Sequence, residues 1–288
     1  MVTPSAVLAK LIDGLRARPG VVVVTLFGSR ARGVSAFPAD ADSDIDLQIV
    51  ARRPESFVDR AWMEQIFGTD VVVAWTVRPA FGGAQKISAI LRHGELDLVI
   101  VPYRRFRLAR LAMAWGLHRR SPKIRRQLGD LAVVLATGHQ VLIGAEGWSR
   151  FLARVVAEVP VPAMDDEEVR NLAEGALIDY CSIMRKLRRG ELRAAQRWLH
   201  TGLAETNFRL WVEKQRRAGE PAFYDGRRLE QVAAPDDLSR LSVSSVIEAE
   251  ALAAAATKAI STTRELGRVL IPAWQMPPAF SSPQTDRR

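Results

Sequence analysis

The chain has 288 residues, of which 48% are hydrophobic and 25% charged, a balance typical of a globular protein with a sizeable core. Its wholly apolar runs, such as residues 21–24, are far too short to span a bilayer, and the N-terminus lacks the pattern of a signal peptide. The single cysteine, Cys181, excludes an internal disulfide and fits a reducing compartment. We therefore expect a cytoplasmic protein with no membrane partner.

The formal net charge of +9 is unevenly distributed along the chain. Residues 1–150 contain 21 Lys and Arg against 13 Asp and Glu, whereas residues 151–288 contain 20 against 19. A basic N-terminal half suits a polyphosphate ligand and would also suit nucleic acid. The composition therefore leaves both kinds of partner open.

The first elements along the chain predict a helix, a buried strand and a glycine turn. Apolar residues recur with helical spacing over residues 5–18, and Pro19-Gly20 ends that pattern. A run of β-branched and apolar residues over 21–27 then predicts a buried strand. The strand ends at Gly28-Ser29, which can open a helix whose free N–H groups attract phosphate.

The next strand carries two acids on one face. In residues 43–50, Ile45, Leu47 and Ile49 alternate with polar positions, so Asp44 and Asp46 share the opposite face. Two adjacent carboxylates repel each other unless a cation lies between them. With phosphate held nearby, the expected cation is magnesium, which prefers one or two carboxylates together with phosphate oxygens.

The rest of the N-terminal half predicts a mixed sheet. Residues 54–67 are expected to be helical, and strands are expected over 70–76, 86–91 and 95–101, the last two forming an antiparallel hairpin. Asp97 lies between apolar residues in the last of these strands. Glu95 shares its face but sits at the strand's edge, so Asp97 is the better candidate for a third acid.

A basic segment follows, with nine Lys and Arg and no acid over residues 104–126. We favour a packed helix over 106–117 with a solvated basic face, and a phosphate- or RNA-contacting surface is the alternative. Residues 131–135 and 140–143 are expected to form a further strand or hairpin that closes the domain.

The C-terminal half changes to helical patterns. Helices are expected from residue 165 to 190, from 191 to about 218, and from Ser245, as a capping box, to about 271. Prolines at 272, 277, 278 and 283 then predict a flexible tail. The expected organisation is a catalytic domain over 1–148, a helical acceptor-binding domain over 149–271 and a tail over 272–288.

Together, the Gly-Ser strand end, the Asp-x-Asp strand and the later strand with Asp97 resemble the active-site signature of the DNA-polymerase-β-like nucleotidyltransferase superfamily. The resemblance implies an α+β fold, with a mixed sheet and flanking helices followed by an all-α domain. It also implies transfer of a nucleoside monophosphate, AMP from ATP, to a hydroxyl with release of pyrophosphate. Two Mg²⁺ ions would take part, one held by Asp44 and Asp46 and the second completed by Asp97.

The same resemblance assigns the glycine turn to the nucleotide. Gly28 would allow close approach of the phosphates, the Ser29 hydroxyl would donate to one of them, and Arg30 would reach a terminal phosphate. No phosphate loop of the Gly-Lys-Ser/Thr type, zinc-binding pattern or serine-hydrolase elbow competes with this interpretation.

Within the superfamily the chain looks most like the aminoglycoside nucleotidyltransferases, in particular the streptomycin-modifying 6-adenylyltransferases. The likeness includes Gly28-Ser29-Arg30, the Asp-x-Asp strand, and Asp97 shortly before the apolar run that ends at Pro102. It implies that an acid of the helical half, with Glu191 as the candidate, accepts the acceptor's proton or grips the drug's amines. Transfer to RNA and a catalytically idle nucleotide-binding module are the alternatives, although the intact acids argue against the latter.

Overall fold

The structure is a computed structural model that describes residues 3–31, 39, 43–69, 71–80, 83–136, 138–220, 226 and 228–277. The chain divides into two compact units, residues 1–162 and 163–288. The first contains a mixed sheet with flanking helices and the second is helical, so the α+β fold class is confirmed. Among the described helices, none is both long and apolar enough to cross a membrane.

The sheet of the first unit has six strands within the described residues, in the order β3-β4-β5-β2-β1-β6. Strands β2 and β5 run parallel, whereas the other neighbouring pairs are antiparallel, which confirms a mixed sheet. The strands are β1 (Val21–Phe27), β2 (Ile45–Ala51), β3 (Val72–Pro79), β4 (Gln85–Leu91), β5 (Gly94–Pro102) and β6 (His139–Ile143).

Alternation along the strands gives the sheet two apolar faces. On one face, Leu47 of β2 packs in a core with Leu11 and Met63, which belong to α1 (Pro4–Ala17) and α2 (Ala61–Phe67). On the other face, Val50 of the same strand packs in a second core with Phe106 and other apolar residues. This second core belongs to α3 (Tyr103–Ala114), α5 (Pro122–Ala136) and α6 (Glu146–Glu158), with the short α4 (Leu117–Arg120) between α3 and α5. Both faces are therefore covered along part of their length.

Two local expectations for this unit were wrong. Residues 131–135 lie in α5, because Leu128, Ala132 and Leu135 recur with helical spacing and are all buried on one side. Residues 54–67 do not form one helix, since a 3₁₀ turn (Pro54–Phe57) precedes α2. The expected strand over 140–143 is present as β6.

The second unit is a bundle around its own core. Its longest helices are α7 (Asp166–Arg188) and α12 (Ala249–Leu270), and α7 begins at a capping box of Asp165 and Glu168. Between them lie α8 (Leu192–Trp198), a π-helical segment (Leu199–Ala204), α9 (Glu205–Ala218), α10 (Leu229–Val232) and α11 (Pro235–Leu241). The predicted helix from 191 to 218 is therefore three consecutive segments. The helix expected from Ser245 begins at Ala249, with Glu248 at the N-cap position.

The two compact units divide after Pro162. Helix α6 buries Phe151, Leu152 and Val155 in the second core of the sheet, which also contains Val23 and Val50. That apolar face keeps α6 with the first unit.

The start of the expected tail is also packed. Trp274 and Met276 are 6% and 4% exposed, and they belong to the core of the second unit. The indole lies so close to Gly267 of α12 that a Cβ atom there would be 2.6 Å from Cζ3. Residues 278–288, the rest of the predicted tail, lie outside the described part of the chain.

We expect Trp274→Ala to lower the free energy of unfolding by about 3–5 kcal/mol, because it removes a buried aromatic ring and leaves a cavity against α12. Val269→Ala is the control, since Val269 lies on α12, the helix that Trp274 packs against, but is 61% exposed. Guanidinium titrations followed by far-UV circular dichroism compare the two variants. Equal effects of the two substitutions would contradict this packing.

Candidate active site

Three carboxylates meet at one place on the sheet. Asp44 directly precedes β2, Asp46 lies within β2, and Asp97 lies within β5. Because β2 and β5 are parallel neighbours whose register pairs Asp46 with Asp97, these two side chains stand side by side. One carboxylate oxygen from each of the three residues lies within 4.8 Å of the others. The structure thus brings together the three acids that the sequence singled out.

The chemistry of this cluster fits a hard divalent cation. Asp46 is only 8% exposed, so its charge is poorly solvated and lies next to two further acids. Oxygen ligands of this kind suit Mg²⁺, which would also reduce the repulsion among them. Asp44, Asp46 and Asp97 are therefore the residues of this chain that could hold such an ion.

Asp97 has two partners that the sequence analysis missed. The Ser88 hydroxyl donates to Asp97 Oδ1 at 2.7 Å, and the Lys86 ammonium lies 2.7 Å from Oδ2. Both come from β4, in which Ser88 is directly opposite Asp97 and Lys86 is two residues away on the same face. The predicted hairpin of β4 and β5 already brought Ser88 and Lys86 near Asp97. Identifying them as its partners required the strand register, which the sequence did not give. The ammonium supplies one positive charge to the cluster.

The turn after β1 lies directly against Asp46. Gly28 has φ of +72°, and a Cβ atom at this position would be 2.1 Å from Asp46 Oδ2. Only glycine fits, both because of the backbone conformation and because of the carboxylate beside it. The turn continues as a four-residue 3₁₀ turn (Gly28–Ala31), not as the α-helix that the sequence suggested.

Ser29 has a polar atom that the fold leaves without a partner. Its Oγ is buried and makes no hydrogen bond to any described residue. Leaving a buried hydroxyl unpaired costs free energy, so a ligand oxygen at this turn would satisfy it. This observation agrees with the predicted phosphate contact without testing it.

Arg30 interacts with the backbone before β2. Its Nε donates to the carbonyl oxygen of Asp44 at 3.1 Å, and its guanidinium also donates to the carbonyl oxygen of Ser43. These bonds join the glycine turn to the segment that carries the first acid. The predicted contact of Arg30 with a terminal phosphate stays a prediction, and the described contacts give it a positioning role.

Glu191 lies in the second unit, at the junction of α7 and α8. Its side chain is 43% exposed and forms ion pairs with Lys186 at 3.4 Å and Arg189 at 4.0 Å. Its carboxylate therefore already has two cationic neighbours. The predicted role of Glu191 toward an acceptor is untested by these contacts.

A second acid of this unit has a different environment. Asp179 of α7 is half-buried, and burial raises the pKa of its carboxyl group. It packs against the π-helical segment, where a Cβ atom on Gly202 would lie 2.6 Å from Asp179 Oδ2. π-Helical turns often occur at functional sites. Sequence periodicity gives no sign of this contact, because a π-turn shifts the faces of the helix.

The family comparison agrees with this geometry. Residues 8–104 match the family model described as a nucleotidyltransferase domain, and this segment contains the glycine turn and all three acids. The first unit therefore carries a nucleotidyltransferase domain, and the chain is a nucleotidyltransferase. Enzymes of this class use a nucleoside triphosphate and an acceptor.

Two solved structures are similar to this chain at low sequence identity. One is an aminoglycoside 6-adenyltransferase from Bacillus subtilis, with 13% identity, 95% of this chain and 93% of that chain covered, and a TM-score of 0.40. Another is a nucleotidyltransferase-like protein from Exiguobacterium sibiricum, with 11% identity, coverages of 90% and 74%, and a TM-score of 0.36. These values are too low to carry an inference about activity. The search of curated proteins finds no match.

We expect Gly28→Ala to abolish binding of Mn²⁺, used as a spectroscopic substitute for Mg²⁺, because the new methyl group displaces the Asp46 carboxylate. Gly20→Ala is the matched control. Gly20 has a similar φ of +88° at the other end of β1, but the nearest atom to its Cβ position is 3.7 Å away. Both variants pay the left-handed backbone penalty of about 1 kcal/mol. Loss of Mn²⁺ binding in both, or in neither, would contradict the close contact between Gly28 and Asp46.

Proposed function

We propose that this chain transfers AMP from ATP to a hydroxyl group of a small molecule, with release of pyrophosphate and with Mg²⁺ at the carboxylate cluster. The single observation that carries the proposal is the meeting of Asp44, Asp46 and Asp97 beside the glycine turn, within a matched nucleotidyltransferase domain. Two-metal phosphoryl-transfer sites need such a set of shared oxygen ligands, and we propose two ions here.

Each residue of the site has a role in this proposal. Bound Mg²⁺ supplies neutralisation of the phosphate charge and activation of the attacking hydroxyl. Asp44 and Asp46 would hold the ion that accompanies the triphosphate, and Asp97 would complete the site of the second ion. Gly28 allows the phosphates to approach the backbone closely, and the unpaired Ser29 hydroxyl donates to a phosphate oxygen.

Two basic residues support this arrangement. Arg30 fixes the segment before β2 through the carbonyl groups of Ser43 and Asp44. Lys86 orients the Asp97 carboxylate through their ion pair. We propose that neither residue takes part in the bond changes.

A small-molecule acceptor is favoured over RNA because several cations of the basic segment 104–126 already have partners in the fold. The Arg110 guanidinium lies over the Trp148 ring, 4.6 Å from its centroid. Arg119 pairs with Glu158 at 3.1 Å, and Arg125 donates to backbone carbonyl groups of α4. These contacts support a packed helical segment with structural arginines over a nucleic-acid surface.

The class of small molecule has two candidates. Aminoglycosides are the first, on the strength of the sequence motifs, and their ammonium groups would need acids such as Glu191. A less cationic hydroxyl compound is the second. It is favoured by the excess of Lys and Arg in residues 1–150 and by the two cations that already neutralise Glu191.

We expect ATP to bind at least roughly tenfold more tightly with Mg²⁺ than with a chelator, because three carboxylates repel an uncompensated triphosphate. In Asp46→Asn the Mg²⁺ dependence and pyrophosphate release should both be lost. The fold should be retained, since the substitution removes charge repulsion. Asp13→Asn is the control, at an exposed position of α1 in the same unit. Calorimetry with and without chelator measures the effect, and an Asp46→Asn protein that still releases pyrophosphate would refute the proposed site.

If the acceptor is an aminoglycoside, we expect Glu191→Gln to lower its turnover more than it changes ATP affinity, because the substitution removes a charge at nearly constant shape. Glu174→Gln, at an exposed position of α7, is the control. Steady-state transfer of label from ATP to streptomycin gives both constants. If Glu191→Gln transfers label at the wild-type rate, Glu191 neither binds the acceptor nor accepts its proton, and its role is limited to the start of α8.

A further inference from the structure

A cavity of about 760 Å³ opens on the carboxylate face of the sheet. Its floor includes Gln48 of β2 and Val99 of β5, each two residues beyond an acid of the cluster and on the same face. Two residues along a strand span about 6.6 Å. Helices α3 and α5 form the opposite wall, so the cavity lies entirely within the first unit.

The position of the cavity points to the acceptor. Its lining extends from β2 through Val99 and Val101 of β5 to Ala84, which directly precedes β4. This is the side of the sheet that holds Asp97. Ser29 and the turn that we assign to the phosphates follow the end of β1, which pairs with β2 on the side opposite β5 and Asp97. Phe27 is the residue of β1 that reaches the cavity. A molecule lodged in this cavity would therefore approach the cluster from the acceptor side.

The lining determines what kind of molecule fits. Apart from Arg105, Asp130, Gln48 and Gln127, the residues around the cavity are apolar. One cation and one anion give no net charge, and the Gln48 Oε1 atom is buried without a hydrogen-bond partner among the described residues. Such a lining matches a drug-sized ligand with an apolar body and a few neutral donors. It offers little to a polycation.

The lining also includes large apolar side chains that are exposed. Leu108, Trp115 and Val134 are 64%, 70% and 39% exposed, although all three are large apolar residues, and all three line this cavity. A contiguous exposed apolar patch at a cavity mouth is typical of a binding site. The patch would extend the contact with an apolar ligand beyond the cavity itself.

We propose that this cavity binds an uncharged, largely apolar body of the hydroxyl acceptor and brings its hydroxyl group beside Asp97. The inference rests on the proposed function and specifies its substrate class. In the step, the acceptor oxygen bonds to the α-phosphorus as the bond from that phosphorus to the bridging oxygen breaks. Pyrophosphate leaves with the electron pair, and the hydroxyl proton passes to water.

The first experiment titrates the full-length protein with N-phenyl-1-naphthylamine, a neutral dye that fluoresces in apolar sites. Val134→Asp places a charge in the wall, and we expect the dye's Kd to rise at least roughly tenfold. Val156→Asp is the matched control, because Val156 lies on α6 of the same unit, is 37% exposed and does not line the cavity. It should bind the dye as the wild type does. Equal dye binding by the two variants, or none by the wild type, overturns the proposal.

The second experiment asks which ligand competes with the dye. A non-hydrolysable ATP analogue with Mg²⁺ should leave the dye bound, and its displacement of the dye would make this the nucleoside site and overturn the proposal. Labelled ATP is then offered with octyl and phenyl glycosides, streptomycin and kanamycin. We expect label on glycosides that displace the dye, and loss of that transfer in Val134→Asp. Transfer to an aminoglycoside that is unchanged in Val134→Asp overturns the assignment.

The two proposals fail in different ways. Dye binding does not depend on the carboxylates, so it should persist in Asp46→Asn. Normal dye binding without Mg²⁺-dependent ATP binding would refute the proposed function. Normal ATP binding with dye binding unaffected by Val134→Asp would refute only the acceptor cavity.

Discussion

The parallel pairing of β2 with β5 is the constraint on which the site depends. It places Asp46 beside Asp97 at matched register, and Asp44 at the edge of the same strand joins them within 4.8 Å. Three acids at this spacing repel one another, so the packing on both faces of the sheet has to hold them there. Leu47 and Val50, which point to opposite faces of β2, anchor the strand in two separate apolar cores.

The residues around the cluster offset that repulsion or hold the acids in position. Lys86 supplies a cation, Ser88 supplies a hydrogen bond, and Arg30 holds the backbone before β2. Gly28 is the residue that lets a turn pass within van der Waals distance of Asp46. These contacts orient the oxygens for a metal and leave the Ser29 hydroxyl unpaired beside them. In our proposal this arrangement is preorganised for an anionic ligand that arrives with cations.

In our proposal the acceptor and the nucleotide bind to chemically different surroundings. The carboxylate cluster is charged and offers the oxygen ligands that suit a hard cation, whereas the neighbouring cavity is apolar and lacks net charge. The motifs of the N-terminal half identify the transfer chemistry, and they say little about the molecule that receives the nucleotide. In our proposal the helices α3 and α5, which cover the sheet beyond the acids, set that specificity.

The sequence alone determined the candidate site residues: Asp44 and Asp46 by strand parity, Asp97 by its apolar flanks, and Gly28-Ser29 by the end of a buried strand. Each of these patterns depends only on residues that are neighbours in sequence, so it is the same in any fold that contains these strands. Only the tertiary structure decided the partners of those groups, such as Ser88 and Lys86, because strand register is set by packing across the sheet. It also decided that residues 131–135 are helical and that Trp274 is buried, since an apolar run fits a strand, a helix or a packed segment until its neighbours are in place.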